Sequence, residues 1–100
     1  MNIKQKKEGE KLTLCIEGSI DTNTAPELND LLERSMPHIN ELVMDFEKVD
    51  YISSAGLRII IFAQKTMSIQ GKFYITHVND DVMEIFEMTS ISDIVEIIND

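Results

Sequence analysis

The 100-residue sequence predicts an α/β domain built on a small, mainly parallel sheet. Residues 11–17 alternate, with Leu12, Leu14 and Ile16 on one side, the period of a half-buried strand. Residues 25–36 and 54–69 repeat apolar side chains every three or four positions, the period of a helix resting on a core. The two kinds of segment interleave in the order β-β-α-β-α-β-α-β. Successive βα units need long crossovers, which leave neighbouring strands parallel.

Residues 2–7 form an N-terminal antiparallel edge strand, joined to 11–17 by a turn around Glu8-Gly9-Glu10, and Gly18 ends the second strand. The first helix opens at Thr24, a candidate N-cap, with Pro26 in the first turn and Glu27 completing a Thr-x-x-Glu capping box. Leu28, Leu31, Leu32 and Met36 make its apolar face, and Pro37 stops it. Residues 42–46 return to strand, followed by a loop from Lys48 to Ile52. A second helix spans Ser54 to Ile69 and ends at Gly71. Residues 72–77 are a strand with Phe73, Ile75 and His77 on one side. A third helix, 80–88, is capped by Asn79 and turns Val82, Ile85 and Phe86 inward; residues 94–98 close the sheet. Strands enclosed on both faces read as continuous apolar runs, so the alternation in 11–17 and 72–77 places the helices mostly on one face.

Composition narrows the function. At 11.4 kDa and 43% hydrophobic residues, the chain suits a single domain, 1–100, with one core. Eighteen acidic against nine basic side chains give a net charge of −9. That charge disfavours a phosphate backbone and an anionic lipid surface, so neither nucleic acid nor direct membrane binding is expected. The charge is uneven. Lys4, Lys6, Lys7 and Lys11 outweigh Glu8 and Glu10, whereas Asp80, Asp81, Glu84, Glu87, Asp93, Glu96 and Asp100 meet no cation after residue 79 and read as a solvated face around the third helix. The single Cys15 forms no intramolecular disulfide and reads as a passive thiol. No signal-like or 18-residue apolar run occurs, and a cytoplasmic location is expected. His38 and His77 lack ligand spacing, and neither a metal nor a cofactor is expected.

The informative stretch is Val49-Asp50-Tyr51-Ile52-Ser53-Ser54-Ala55-Gly56-Leu57-Arg58. Ser53 or Ser54 caps the second helix, leaving a hydroxyl beside unpaired amides whose dipole favours an anion. A phosphate on Ser54 fits there and alters any surface docked on it. At 100° per residue, Gly56, Ile60, Ala63 and Met67 form the core stripe, while Ser54, Ile61, Phe62 and Ile69 fall towards Arg58 and Lys65 on the opposite side. Apolar side chains there make either a protein-docking surface or a second buried stripe.

Three stretches together resemble the anti-sigma factor antagonists of the STAS-domain family. They are Gly18-Ser19-Ile20-Asp21 with Thr24-Ala25-Pro26-Glu27-Leu28, then Leu42-Val43-Met44-Asp45-Phe46 with Tyr51-Ile52-Ser53-Ser54-Ala55-Gly56-Leu57, and finally Phe86-Glu87-Met88-Thr89. The resemblance implies a phosphoprotein in partner switching. The unmodified form binds an anti-sigma factor that is also an ATP-using serine kinase, and so releases the sigma factor. Phosphorylation ends binding, and a PP2C-type phosphatase reverses it. It further implies that Ser54 is the phosphoacceptor and that Asp21 lies beside it, where it could hydrogen-bond the hydroxyl; with the helix-face reading, Asp21, Thr22, Asn23, Ser53, Ser54, Arg58, Ile61 and Phe62 are the expected partner-binding residues. Many members carry Asp where this chain has Ser53, so Ser53 is a rival acceptor. A second role within the family is an adaptor subunit of a membrane transporter or a stress-signalling assembly. Catalysis is not expected: there is no Gly-x-Ser-x-Gly elbow and no Gly-rich phosphate loop with Lys.

Overall fold

In the computed structural model, which describes residues 1–99, β1 (Asn2–Glu8) pairs antiparallel with β2 (Lys11–Ile20) across the two-residue connection Gly9-Glu10. Gly9 takes the left-handed conformation (φ 63°), which a residue without Cβ adopts at little cost. β3 (Glu41–Ile52), β4 (Lys72–Thr76) and β5 (Glu96–Ile98) then add in parallel, giving one five-stranded sheet in the order β1-β2-β3-β4-β5. Three helices supply the crossovers: α1 (Ala25–Ser35), α2 (Ser54–Gln70) and α3 (Asp80–Met88). The expected mixed α/β architecture is therefore present.

One face of the sheet is dry. Leu12, Leu14 and Ile16 of β2, Leu42, Met44 and Phe46 of β3, and Phe73 and Ile75 of β4 are buried with Leu28, Leu31 and Leu32 of α1, Ile59, Ile60, Ala63 and Met67 of α2, and Val82 and Phe86 of α3. The Phe46 and Phe86 rings meet at 6.0 Å, tilted by 48°, which fastens α3 to the central strand. Thr13, Cys15, Asp45, Tyr74 and Thr76 are only half-buried, as the alternating pattern requires if the other face is partly wet. No helix among the described residues is long and apolar enough to cross a membrane.

Several boundaries differ from expectation. β2 continues through Gly18, and β3 runs to Ile52 where a loop from Lys48 was expected. The two strands stay paired beyond β4, with register shifts between Cys15 and Glu17 and between Gly18 and Ser19. At each shift β3 carries an extra residue, so Val49 and Ile52 are buried while Lys48, Asp50 and Tyr51 point outward. Gly18 adopts φ 96° at the second irregularity, so its glycine serves a bulge and not a stop. α1 gives way to a single 3-10 turn, Met36–His38, at Pro37. His77 lies beyond the end of β4, exposed and left-handed (φ 56°), and does not share a face with Phe73 and Ile75. β5 starts only at Glu96 because a 3-10 turn, Ile91–Asp93, takes up the preceding chain.

Of the three helices, only α3 carries a side-chain cap at its N-terminus. Asn79 caps α3 as expected, its side chain accepting from Val82 N at 2.8 Å and donating to Val49 O at 2.9 Å. Gly71 does end α2, but in an extended conformation (φ 169°), so left-handed capping is not its reason. A Cβ at Gly71 would stand 1.8 Å from the Asn40 carbonyl oxygen, and Lys72 N donates to that oxygen at 2.9 Å. The glycine permits backbone to meet backbone where α2 turns into β4. Exposed acids line α3 and its sequel: Asp80, Asp81, Glu84, Glu87, Asp93 and Glu96 are all in solvent, while Asp100 lies outside the described residues.

The two glycines separate experimentally. Gly71→Ala should cost about 2 kcal/mol through overpacking against backbone, lowering the melting temperature by roughly 8–16 °C. Gly9→Ala, whose Cβ meets nothing within 4 Å, should cost only about 1 kcal/mol for its left-handed backbone. Thermal unfolding followed by circular dichroism checks the order.

Candidate functional site

The extended β2–β3 pair delivers two loops to the same end of the sheet. Ile20 pairs with Ile52, and Ser53 N then donates to Ile20 O at 2.8 Å, continuing the contact one residue further. The segment after Ile20 and the start of α2 are thereby held side by side. Gly56 completes the junction: a Cβ there would lie 2.6 Å from Ile52 Cγ1 and 2.8 Å from Ile20 Cγ2, so only a glycine lets the first turn of α2 settle on these two isoleucines.

The loop from Asp21 to Thr24 is organised by its own side chains. Asp21 Oδ1 accepts from Asn23 N at 2.9 Å and Thr24 N at 3.1 Å, an Asx turn. Thr24 Oγ1 accepts from Asp21 N and donates to Ser19 O, both at 2.8 Å. The Thr24 hydroxyl is therefore turned back along the loop, and the expected capping box with Glu27 does not form: Thr24 makes no side-chain cap bond. The Thr24 and Asn23 amides stabilise the Asp21 carboxylate and hold its pKa below the ordinary value. A depressed folded-state pKa contributes stability above the unfolded value of about 3.9, lost as pH falls through the lower folded value. Asp21 is thus beside the serines in the fold, but its bonds stay within its own loop. Among the described residues no hydrogen bond joins it to Ser54. Thr22 and Asn23 are exposed at the tip.

The two serines occupy different environments. Ser53 is the N-cap of α2, in extended backbone, with no side-chain cap bond. Its carbonyl accepts from Leu57 N at 3.0 Å, while its hydroxyl oxygen is buried and has no partner among the described residues. Ser54 is the first helical residue and is exposed. The amides of Ser54, Ala55 and Gly56 belong to the first turn, where a helix has no internal acceptor for them. This end of α2 presents a hydroxyl and positive dipole with no local carboxylate on the helix itself.

From Ser54 the outer face of α2 continues through Arg58, exposed, and Phe62, whose ring is 40% exposed, with Ile61 half-buried beside them. Ile69, 89% exposed, lies on the same helix but about 22 Å from Ser54 at the rise of an α-helix, so it belongs to a separate part of the surface. Sequence reasoning missed Tyr51. The irregularity opposite Gly18 and Ser19 turns this residue outward, 51% exposed, two positions before Ser53. A large aromatic just ahead of the serines was the available signal, but it was absorbed into a supposed loop.

Neither histidine is bonded to Ser54 among the described residues. His38 ends the 3-10 turn after α1, and His77 Nδ1 lies 3.1 Å from Asp45 Oδ1. Cys15 lies on the half-wet face of the sheet, where burial first and Asp45 second raise its thiol pKa and keep it protonated.

Residues 2–100 match the family described as STAS domain. The anti-sigma-B factor antagonist of Listeria monocytogenes is 30% identical over 99 residues, covering 95% of this chain and 85% of that protein. Among solved structures, TM1081 of Thermotoga maritima superposes with a TM-score of 0.90 at 20% identity, covering 98% of this chain and 86% of that one. The phosphorylated form of the Bacillus cell fate determinant SpoIIAA gives 0.79 at 9% identity, covering 99% and 91%. Sequence match and fold agree along the whole described chain, and the protein belongs to the STAS-domain family.

Proposed function

We propose that this chain is an anti-sigma factor antagonist, a binding protein and not an enzyme, switched by phosphorylation of Ser54. Unphosphorylated, it docks an anti-sigma factor that is also an ATP-using serine kinase, and so releases the sigma factor. The docking surface comprises the Asp21–Asn23 loop, Ser53 and Ser54, and the outer face of α2 at Arg58, Ile61 and Phe62. A PP2C-type phosphatase restores the binding form, and the cycle runs in the cytoplasm. The relative from Listeria monocytogenes, an anti-sigma-B factor antagonist, supports the class.

The observation that carries the reading is the contrast between the serines. Ser54 offers its hydroxyl to solvent at a helix N-terminus, whereas the Ser53 hydroxyl oxygen is buried. A kinase reaches the first without disturbing the fold and the second only by opening the junction of β2, β3 and α2. A phosphoryl group on Ser54 adds about −1.5 to −2 charges. Free amides and the helix dipole tolerate it on this chain, while a surface fitted to a neutral hydroxyl meets repulsion and a desolvation penalty. Arg58, one turn on, is at the i+4 spacing that pairs with such a charge and is then withdrawn from the partner.

Incubated with its cognate kinase and ATP, the protein should take up one phosphoryl group on Ser54, located by tandem mass spectrometry, and Ser54→Ala should abolish it. Phosphate on Ser53 alone overturns the assignment. Ser54→Asp should weaken kinase binding at least tenfold while leaving the melting temperature within a few degrees; capture of a transporter subunit regardless of this charge favours the adaptor role instead.

Phe62 tests the surface separately. Phe62→Ser should weaken the complex about tenfold, or about 1.4 kcal/mol, with the fold retained, as expected for an aromatic anchor. Unchanged affinity in calorimetric titration removes Phe62 from the interface.

A further inference from the structure

On the half-wet face of the sheet, away from the serines, three ligand-type side chains converge. Asp45 of β3, Glu47 two residues on and His77 beyond β4 each place one ligand atom within 4.8 Å of the other two. The fold brings them together by register and irregularity. Asp45 pairs with Thr76, the last residue of β4, so His77 follows just beyond that strand, left-handed and with its ring on Asp45. The register shift after Asp45 exposes both Glu47 and Lys48, instead of sending one of them inward. Glu47 N donates to Asp45 Oδ1 at 3.0 Å, and the Cys15 thiol reaches Asp45 Oδ2 at 4.0 Å, so the carboxylate is oriented from two sides.

We propose that Asp45, Glu47 and His77 bind a divalent transition-metal ion of the zinc class, with solvent completing its coordination. The spacing suits it. Two ligand atoms bound at about 2.1 Å and roughly 90–110° apart stand about 3.0–3.4 Å from each other. His77 Nδ1 and Asp45 Oδ1 share a hydrogen bond at 3.1 Å, so an ion replaces the proton between them with little movement of either group. Glu47 is exposed, and rotation of its side chain closes the remaining gap. One imidazole and two carboxylates suit zinc better than magnesium, which takes oxygen ligands and retains its water. Among the described residues the nearby lysines do not pair with these carboxylates: Lys4 and Lys48 both pair with Glu17, at 3.7 and 3.6 Å. An ion here would clasp the irregular part of β3 to the corner after β4, tightening the strand that ends at the serines.

Titration calorimetry and thermal unfolding of the full chain with Zn2+ test this, with Mg2+ in parallel. The expected result is one Zn2+ per chain and a melting temperature raised by roughly 11–22 °C at a hundredfold excess over Kd. Mg2+ should give no shift. His77→Asn, a residue that accepts left-handed backbone, and Glu47→Gln should each weaken binding at least about tenfold. His38→Asn and Cys15→Ser should change affinity by no more than a few-fold. Absence of a Zn2+ response, an equal response to Mg2+, unaltered affinity in His77→Asn, or loss of binding confined to Cys15→Ser overturns the proposal.

Discussion

The contact on which the site depends is the parallel pairing of β2 and β3 beyond the edge of β4. Within the sheet proper, β3 is flanked by β2 and β4 only as far as Asp45 and Thr76. Past that point the β2–β3 ribbon is held by its own ladder and by Val49, Ile20 and Ile52, all at 1% exposure or less. Burial of a large aliphatic side chain stabilises by about 1.5–3 kcal/mol, so these three residues contribute a large part of the energy that keeps the ribbon closed. The start of α2 and the turn of Asp21 are both attached to its tip. Gly56 then sets how near the helix comes, because its missing Cβ is filled by Ile20 and Ile52. A rigid hydrophobic junction therefore holds the exposed Ser54 in place.

Charge enters on a different scale. The chain carries −9 overall, with the acids of α3 in solvent, yet Tyr51 to Leu57 contains no charged residue. At physiological ionic strength electrostatic effects between exposed groups fade over about 8 Å. A phosphoryl group on Ser54 thus acts on what touches it, and hardly on the field of the molecule. The expectation against polyanionic partners rests on the charge of the whole chain; the proposed switch rests on one nearly neutral patch.

What the sequence disclosed was what is decided locally. The Asn79 cap of α3 and the alternation at the start of β2 depend on neighbours within a few positions, and each matches the structure. The extension of β3 was hidden because two extra residues break the period of two: Val49 and Ile52 are three apart and still both buried. The Thr24 box was misread for another reason. A hydroxyl three residues before Glu27 fits the pattern, but its oxygen already accepts from the Asp21 amide while its proton goes to Ser19 O, and the pattern contains neither partner. Likewise Gly71 has the expected place, while its cause is the carbonyl of Asn40, thirty-one residues away. Asp21 shows both sides at once: its position near the serines was legible, and the engagement of its carboxylate by the amides of its own loop was not.

The adjacent serines show why residue identity alone leaves such a site undecided. Helix geometry makes Ser53 the N-cap, the position at which a serine side chain ordinarily bonds a first-turn amide. Here that side chain makes no such bond, and its oxygen is buried without a partner, an arrangement that costs about 1–3 kcal/mol for a polar group. An aspartate at this position would bring a formal charge into the same confined place beside the acceptor. With serine there, the neighbourhood of Ser54 carries no fixed negative charge from the helix, and the contrast between its free and phosphorylated forms becomes larger. On the proposed reading, a serine and not a carboxylate at position 53 makes the switch depend on the phosphate itself more than on the surface around it.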